Sequence, residues 1–158
     1  MKRQRKSYKT PTKGWSKQRI EREREILKSY GLRKKREIWK FETLLRKFRR
    51  LARELAAKID KGKEKILVDK VVKLGLFDQG ATLDDVLGLT LEKVLDRRLQ
   101  TIIFKKGFAN TLGQARQFIV HGHVKINDRR ITYPSYIVLK EEEDKIKIQI
   151  QAVKKVSA

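Results

Sequence analysis

The chain has 158 residues, enough for one ordinary domain or two small ones. Its 41 Lys/Arg against 19 Asp/Glu leave a formal charge of +22, far beyond the about 2–8 that solubility asks of a small domain, so a polyanionic partner is implied. With no cysteine, disulfides and thiolate metal sites are excluded, and no stretch approaches the roughly 20 apolar residues of a membrane span.

The charge is front-loaded. Residues 1–50 hold 20 Lys/Arg and 5 Asp/Glu, and residues 51–158 hold 21 and 14. Residues 1–19 carry 8 basic side chains and no acidic one, with Pro11 and Gly14 interrupting any helix. They have almost nothing to bury and are expected to form a basic arm, disordered when alone in water. They also lack the apolar region of a secretory signal. Tyr8 and Trp15 in this arm are expected to pack on the following helix or to stack on bases.

A helical domain is expected over 20–90. Its first helix begins at about Glu21 and pauses at Gly31. Ile38, Phe41, Leu45, Phe48, Ala52, Leu55 and Ile59 then recur at alternating spacings of 3 and 4, one continuous stripe on a long helix, with Leu44 and Leu51 widening it. Arg46, Arg49, Arg50 and Arg53 lie off the stripe, so this helix has an apolar side to fold with and a basic side left over. Asp60-Lys-Gly-Lys ends it. A helix at about 65–74 closes at Gly75. Thr82 and Asp85 are spaced as a capping box for a short turn ended by Gly88.

A second module is expected over 91–150, with 151–158 as a tail. Thr90 caps a helix at about 91–106 with Leu91, Val94, Leu95, Leu99, Ile102 and Ile103 inward, and Gly107 supplies its left-handed C-cap. Thr111-Leu-Gly-Gln is a capping box for a helix from Leu112 to about His121, closed by Gly122. His123-Val-Lys-Ile, Asn127-Asp128 and Arg129-Arg-Ile read as a hairpin with a two-residue turn. In that register Val124 and Ile131 share one face, while His123, Lys125 and Arg130 share the other. Tyr136–Leu139 and Lys145–Ile150 are expected to pair as two further strands, with Glu141-Glu-Glu-Asp as their turn. The fold class is α+β: a basic helical N-terminal part, then two helices with a short antiparallel sheet.

No catalytic constellation is visible. His121 and His123 are the only histidines, and one residue between them on a helix-to-strand turn is expected to point them apart. The carboxylates at 141–144 read as a solvated turn. No Gly-rich phosphate loop, nucleophile elbow or paired-carboxylate pattern appears. The expectation is a non-enzyme without metal, cofactor or small-molecule substrate. The cations are more informative. Arg98 and Lys105 are seven apart on one expected helix, Lys106 follows, Arg116 is on the next, and Lys125, Arg129 and Arg130 lie at the hairpin. Helices and a hairpin with cations on one side suit irregular RNA read by shape better than a DNA major groove. Membrane-surface binding is disfavoured because the arm lacks an apolar helical face.

The stretch LDRRLQTIIFKKGFANTLGQARQFIVHGHVKINDRRITYPSYIV (95–138) strongly resembles the small RNA-binding module named after ribosomal protein S four. The likeness covers about 91–150 and rests on Gly107-Phe-Ala, Gln114-Ala-Arg116, His121-Gly-His123-Val and Ile126-Asn127. TPTKGW (10–15), YGLRKKREIW (30–39) and RRLAREL (49–55) resemble the archaeal and eukaryotic branch of the ribosomal protein family itself. That resemblance implies a cytoplasmic structural protein of the small ribosomal subunit, bound early in assembly to small-subunit ribosomal RNA at a multi-helix junction, beside neighbouring small-subunit proteins. By position it carries an RNA-facing role to Arg98, Lys105, Lys106, Asn110, Thr111, Gln114, Arg116, His123 and Lys125. The basic first part and the hairpin add Arg3, Arg5, Lys13, Arg33, Lys35, Arg46, Arg49, Arg50, Arg53 and Arg130. Bacterial members often carry a cysteine zinc knuckle near the start; this chain has no cysteine, and no metal is implied. The competing reading is an accessory RNA-binding protein of an RNA-modification or stress pathway.

Overall fold

The computed structural model describes residues 6–58 and 60–149, which fall into two compact units dividing between Arg97 and Arg98. The first unit is helical: α1 (Lys17–Ser29), α2 (Lys35–Lys58), α3 (Lys61–Lys73), α4 (Leu83–Leu87) and α5 (Leu91–Asp96). Helix α2 is its spine and touches the other four. The stripe read from the sequence is its core side: Ile38, Phe41, Leu45, Phe48 and Ala52 are buried and Leu55 is half-buried, while Ile59 lies outside the described residues. Ile26, Leu67, Val71, Val86, Leu89, Val94 and Leu95 are among the other buried apolar side chains of this unit.

Two helix starts differ from expectation. Helix α1 begins at Lys17 rather than Glu21, because Pro11 and Gly14 both precede its extended N-cap residue, Ser16. Helix α3 begins at Lys61 rather than about 65. Asp60 does not merely end the preceding helix; its side chain accepts a hydrogen bond from the Lys63 backbone N–H at 3.3 Å and so caps α3. The Lys63 ammonium, 2.8 Å from the Asp60 carboxylate, holds that carboxyl below its usual range.

The expected single helix over 91–106 is two helices. Helix α5 ends at Asp96, and α6 (Leu99–Lys105) opens the second unit. Between them Arg98 is extended, with φ −70° and ψ 140°, and forms an isolated antiparallel bridge with Ile137. The Leu99 N–H donates to the Tyr136 carbonyl at 2.8 Å. The apolar spacing runs unbroken through this point, so periodicity alone does not mark the break.

The second unit continues with α7 (Leu112–Val120), β1 (Val124–Ile126), β2 (Arg129–Arg130), a 3-10 helix (Lys140–Lys145) and β3 (Ile146–Ile148). Its sheet is antiparallel in the order β2-β1-β3. The hairpin is as read, with Asn127 at φ 50° and Asp128 at φ 64°, the left-handed pair that a type I′ turn requires. The other strand pairing is not. β3 pairs with β1, Ile137 makes only its bridge to Arg98, and residues 141–144 lie in the 3-10 helix rather than a hairpin turn. Glu142 causes the curl: it accepts hydrogen bonds from the Tyr136 hydroxyl at 3.0 and 3.1 Å and from the Leu139 N–H at 3.2 Å. Ile150 and the expected tail lie outside the described residues. One face of the sheet packs Val124, Ile126, Ile131 and Ile146 against Leu99, Ile102, Ile103, Ala115 and Ile119 of the helices.

Candidate nucleic-acid interface

Side chains alternate across a strand, so burying Val124 and Ile126 on one face sends His123 and Lys125 to the other. In register, Lys125 lies opposite Arg130 on β2 and opposite Lys147 on β3. Three cations therefore form one row across the sheet. Like charges directly opposite each other destabilise a sheet. Asp128 offsets part of this, its carboxylate 3.2 Å from the Lys147 ammonium. Gln149 extends the same face, its N–H donating to the His123 carbonyl at 2.9 Å.

The turn from α7 into β1 fixes one end of this row. Gly122 has φ +76°, and a Cβ there would collide with the Arg130 guanidinium, which lies over the turn and donates from Nη2 to the His121 carbonyl at 2.7 Å. The left-handed residue also brings its neighbours to one side. The His121 and His123 rings lie parallel with centroids 6.2 Å apart, not pointing apart as expected. No group of three or more His, Cys, Asp or Glu suited to a metal exists among the described residues. At the start of α7 the Thr111 hydroxyl accepts from the Gln114 N–H at 3.1 Å, and Gln114 Oε1 accepts from the Asn110 N–H at 2.8 Å. Asn110, Thr111 and Gln114 are thus tied to each other, and Arg116 follows half-buried on α7.

Arg98 and Lys105 do not share an exposed helix side. Arg98 is 0% exposed and stands outside α6, whereas Lys105 is exposed in its last turn. Lys106 reaches the 3-10 helix, its ammonium donating to the Glu143 carbonyl at 2.5 Å and lying 3.4 Å from Asp144. Of the cations and histidine expected to face RNA in this unit, Lys105, Lys106, Arg116, His123, Lys125 and Arg130 reach solvent at least in part.

In the first unit, several of the expected RNA-facing cations hold the fold. Lys35 lies 3.2 Å from the buried carboxylate of Glu23, which also accepts from Trp39 Nε1 at 3.0 Å and lies 3.5 Å from Arg19. Arg49 donates to the Leu89 carbonyl at 2.7 Å. Arg46 and Arg50 pair one turn along with Glu42 and Glu54. Lys13, Arg33 and Arg53 are exposed, and Arg3 and Arg5 lie outside the described residues.

Comparison with known proteins fits this division of the chain. The S4 domain family matches residues 97–144, and the family described as "Ribosomal protein S4/S9 N-terminal domain" matches residues 1–96. The chain belongs to the ribosomal protein S4 family. Two curated relatives, both called small ribosomal subunit protein uS4, are similar over most of their length. The one from Picrophilus torridus is 48% identical over 149 residues, covering 90% of this chain and 81% of the relative. The one from Nanoarchaeum equitans is 51% identical over 150 residues, covering 91% and 83%. The S4 family is non-enzymatic, with a structural ribosomal role in translation. No helix among the described residues is long and apolar enough to cross a membrane.

The sequence reading missed two residues, Lys147 and Glu23. Lys147 joins the cation row because β3 pairs with β1, a pairing that strand alternation alone does not choose. Glu23 is 3% exposed, although it sits in EREREIL; its spacing of three from the buried Ile26 is the signal that marks it as inward. Trp15, for which packing on the next helix was one expectation, is 96% exposed, whereas the Tyr8 ring packs 5.9 Å from that of Trp39.

Proposed function

We propose that this chain binds small-subunit ribosomal RNA through the second unit's exposed sheet face and α7, at a multi-helix junction, as an early structural component of the small subunit beside other small-subunit proteins. The observation that carries the reading is the Arg130–Lys125–Lys147 row. A row of like charges is unfavourable for the free protein and favourable once phosphates lie across it. The row sits on a rigid sheet anchored by an apolar face, so it presents a fixed spacing of charge, which suits recognition of RNA by shape. The histidine at 123 and the short helix α7 flank it. In the first unit, Lys13, Arg33 and Arg53 add exposed charge to the attraction. Neighbouring small-subunit proteins are partners by family likeness.

The experiment is a salt series of binding to small-subunit ribosomal RNA and to an unrelated structured RNA of equal length, with Lys147→Ala alongside. The expected result is a preference for ribosomal RNA that survives high salt, with Lys147→Ala lowering the salt slope by about 1. Equal affinities that collapse together as salt rises would leave only a polycation on a polyanion.

A further inference from the structure

Beside the hairpin, the second unit has a cleft of about 470 Å³, lined among others by Arg129, Arg130, Ile131, Tyr133, Tyr136 and Glu142, so that Arg130 joins it to one end of the cation row. Its size falls within the roughly 300–1,000 Å³ of small-ligand sites. Its chemistry is mixed in a particular way. Ile131 gives an apolar floor, Tyr133 stands at the rim with 71% of its surface exposed, and Arg129 lies exposed on the edge strand. The carboxylate of Glu142 is fixed in place by the Tyr136 hydroxyl and the Leu139 N–H.

Glu142 narrows the choice of ligand. A carboxylate offers about four acceptor positions, so its existing bonds leave capacity toward the cleft. It repels a bare phosphate and favours a group with adjacent donors. Among nucleobases, guanine presents two neighbouring donors, N1–H and the 2-amino group, on one edge. Uracil has a single N–H between two acceptors, and adenine an amino group beside an acceptor. An aromatic ring at the rim adds a stacking surface, and a guanidinium on the outer strand suits the attached phosphate.

We propose that this cleft takes the base of an unpaired guanosine in RNA, with its Watson–Crick edge on Glu142, its face on Tyr133 and its phosphate toward Arg129. The assignment rests on the RNA-binding reading above and extends it to a sequence-reading site. A guanine with a phosphate could also come from a free nucleotide, and the test separates the two.

The full chain is titrated, with backbone amide NMR as readout, with an RNA hairpin bearing a single bulged G, the same hairpin with a bulged A, and free guanosine monophosphate. The expected result is movement of the Asn127, Tyr133 and Glu142 amides with the bulged-G hairpin and an affinity about ten- to a hundredfold above that for bulged A, the worth of hydrogen bonds to a charged acceptor. Tyr133→Ala, at an exposed site that leaves the core intact, should weaken the bulged-G complex about five- to a hundredfold, by the worth of one base stack. Glu142→Gln should remove the preference for G over A. Equal binding of both hairpins without movement in the cleft overturns the site while leaving RNA binding intact. Guanosine monophosphate binding more tightly than the hairpin overturns the RNA assignment in favour of a free nucleotide. Failure of the chain to bind either hairpin or ribosomal RNA would instead overturn the reading on which the site rests.

Discussion

Replacing Gly122 by alanine tests how folding and the charged face are joined. At φ +76° an alanine pays the left-handed penalty, about 1–2 kcal/mol. Its Cβ also meets the Arg130 guanidinium, which must move and so loses its hydrogen bond to the His121 carbonyl. That bond is exposed, so its loss is nearer about 0.5–1 kcal/mol than the values for buried charged bonds. The sum is about 2 kcal/mol. Both tryptophans, Trp15 and Trp39, lie in the first unit, so their fluorescence does not report directly on this turn. Native-state hydrogen exchange of the His123 and Ile131 amides does, since both are donors within the second unit. The decisive control is Gly122→Ala in an Arg130→Ala background. There only the backbone penalty remains, and the cost should fall by about 0.5–1 kcal/mol. An identical cost in both backgrounds would show that the guanidinium does not lie over the turn, and the anchoring of the cation row would be wrong.

In the first unit, Phe48→Ala should cost about 3–5 kcal/mol in denaturant unfolding followed by tryptophan fluorescence, because Phe48 is buried on the inward stripe of α2; a change within about 0.5 kcal/mol would contradict that burial. The Tyr30 hydroxyl is pushed up to about 12, first by burial and then by the Asp96 and Glu92 carboxylates. Its folded value lies above the ordinary 10.0, so its contribution is full below pH 10 and is lost as pH rises toward about 12. Tyr30→Phe should therefore flatten the fall in stability across that window, and an unchanged slope would refute the assignment.

Local chemistry was legible in the sequence wherever one residue decides the backbone. Gly31, Gly75, Gly107 and Gly122 end helices as read, and Asn127-Asp128 turns the hairpin. The stripe on α2 was legible because Ile38, Phe41, Leu45, Phe48, Ala52 and Leu55 agree on one face. What was hidden depended on partners distant in the chain. The break at Arg98 is made by Ile137, about forty residues on, and the strand order by a choice between two alternating segments that fit equally well. The same limit applied to the site. Counting cations located the charged region, but only packing separates Lys35 and Arg49, which hold helices together, from Lys125 and Arg130, which reach outward.

Among the described residues the order β2-β1-β3 leaves two open edges, and each edge strand carries cations, Arg129 and Arg130 on one side and Lys147 on the other. Charged edges discourage a strand of another copy from adding to the sheet. The side chains proposed to face RNA thus also act as a guard against self-association, one that operates by repulsion and therefore weakens as salt screens it. On the proposed reading, each RNA phosphate bound there would neutralise part of that repulsion while covering the surface it protected, so the chain would be most exposed to misassembly when its charges are masked by small ions and no RNA has taken their place.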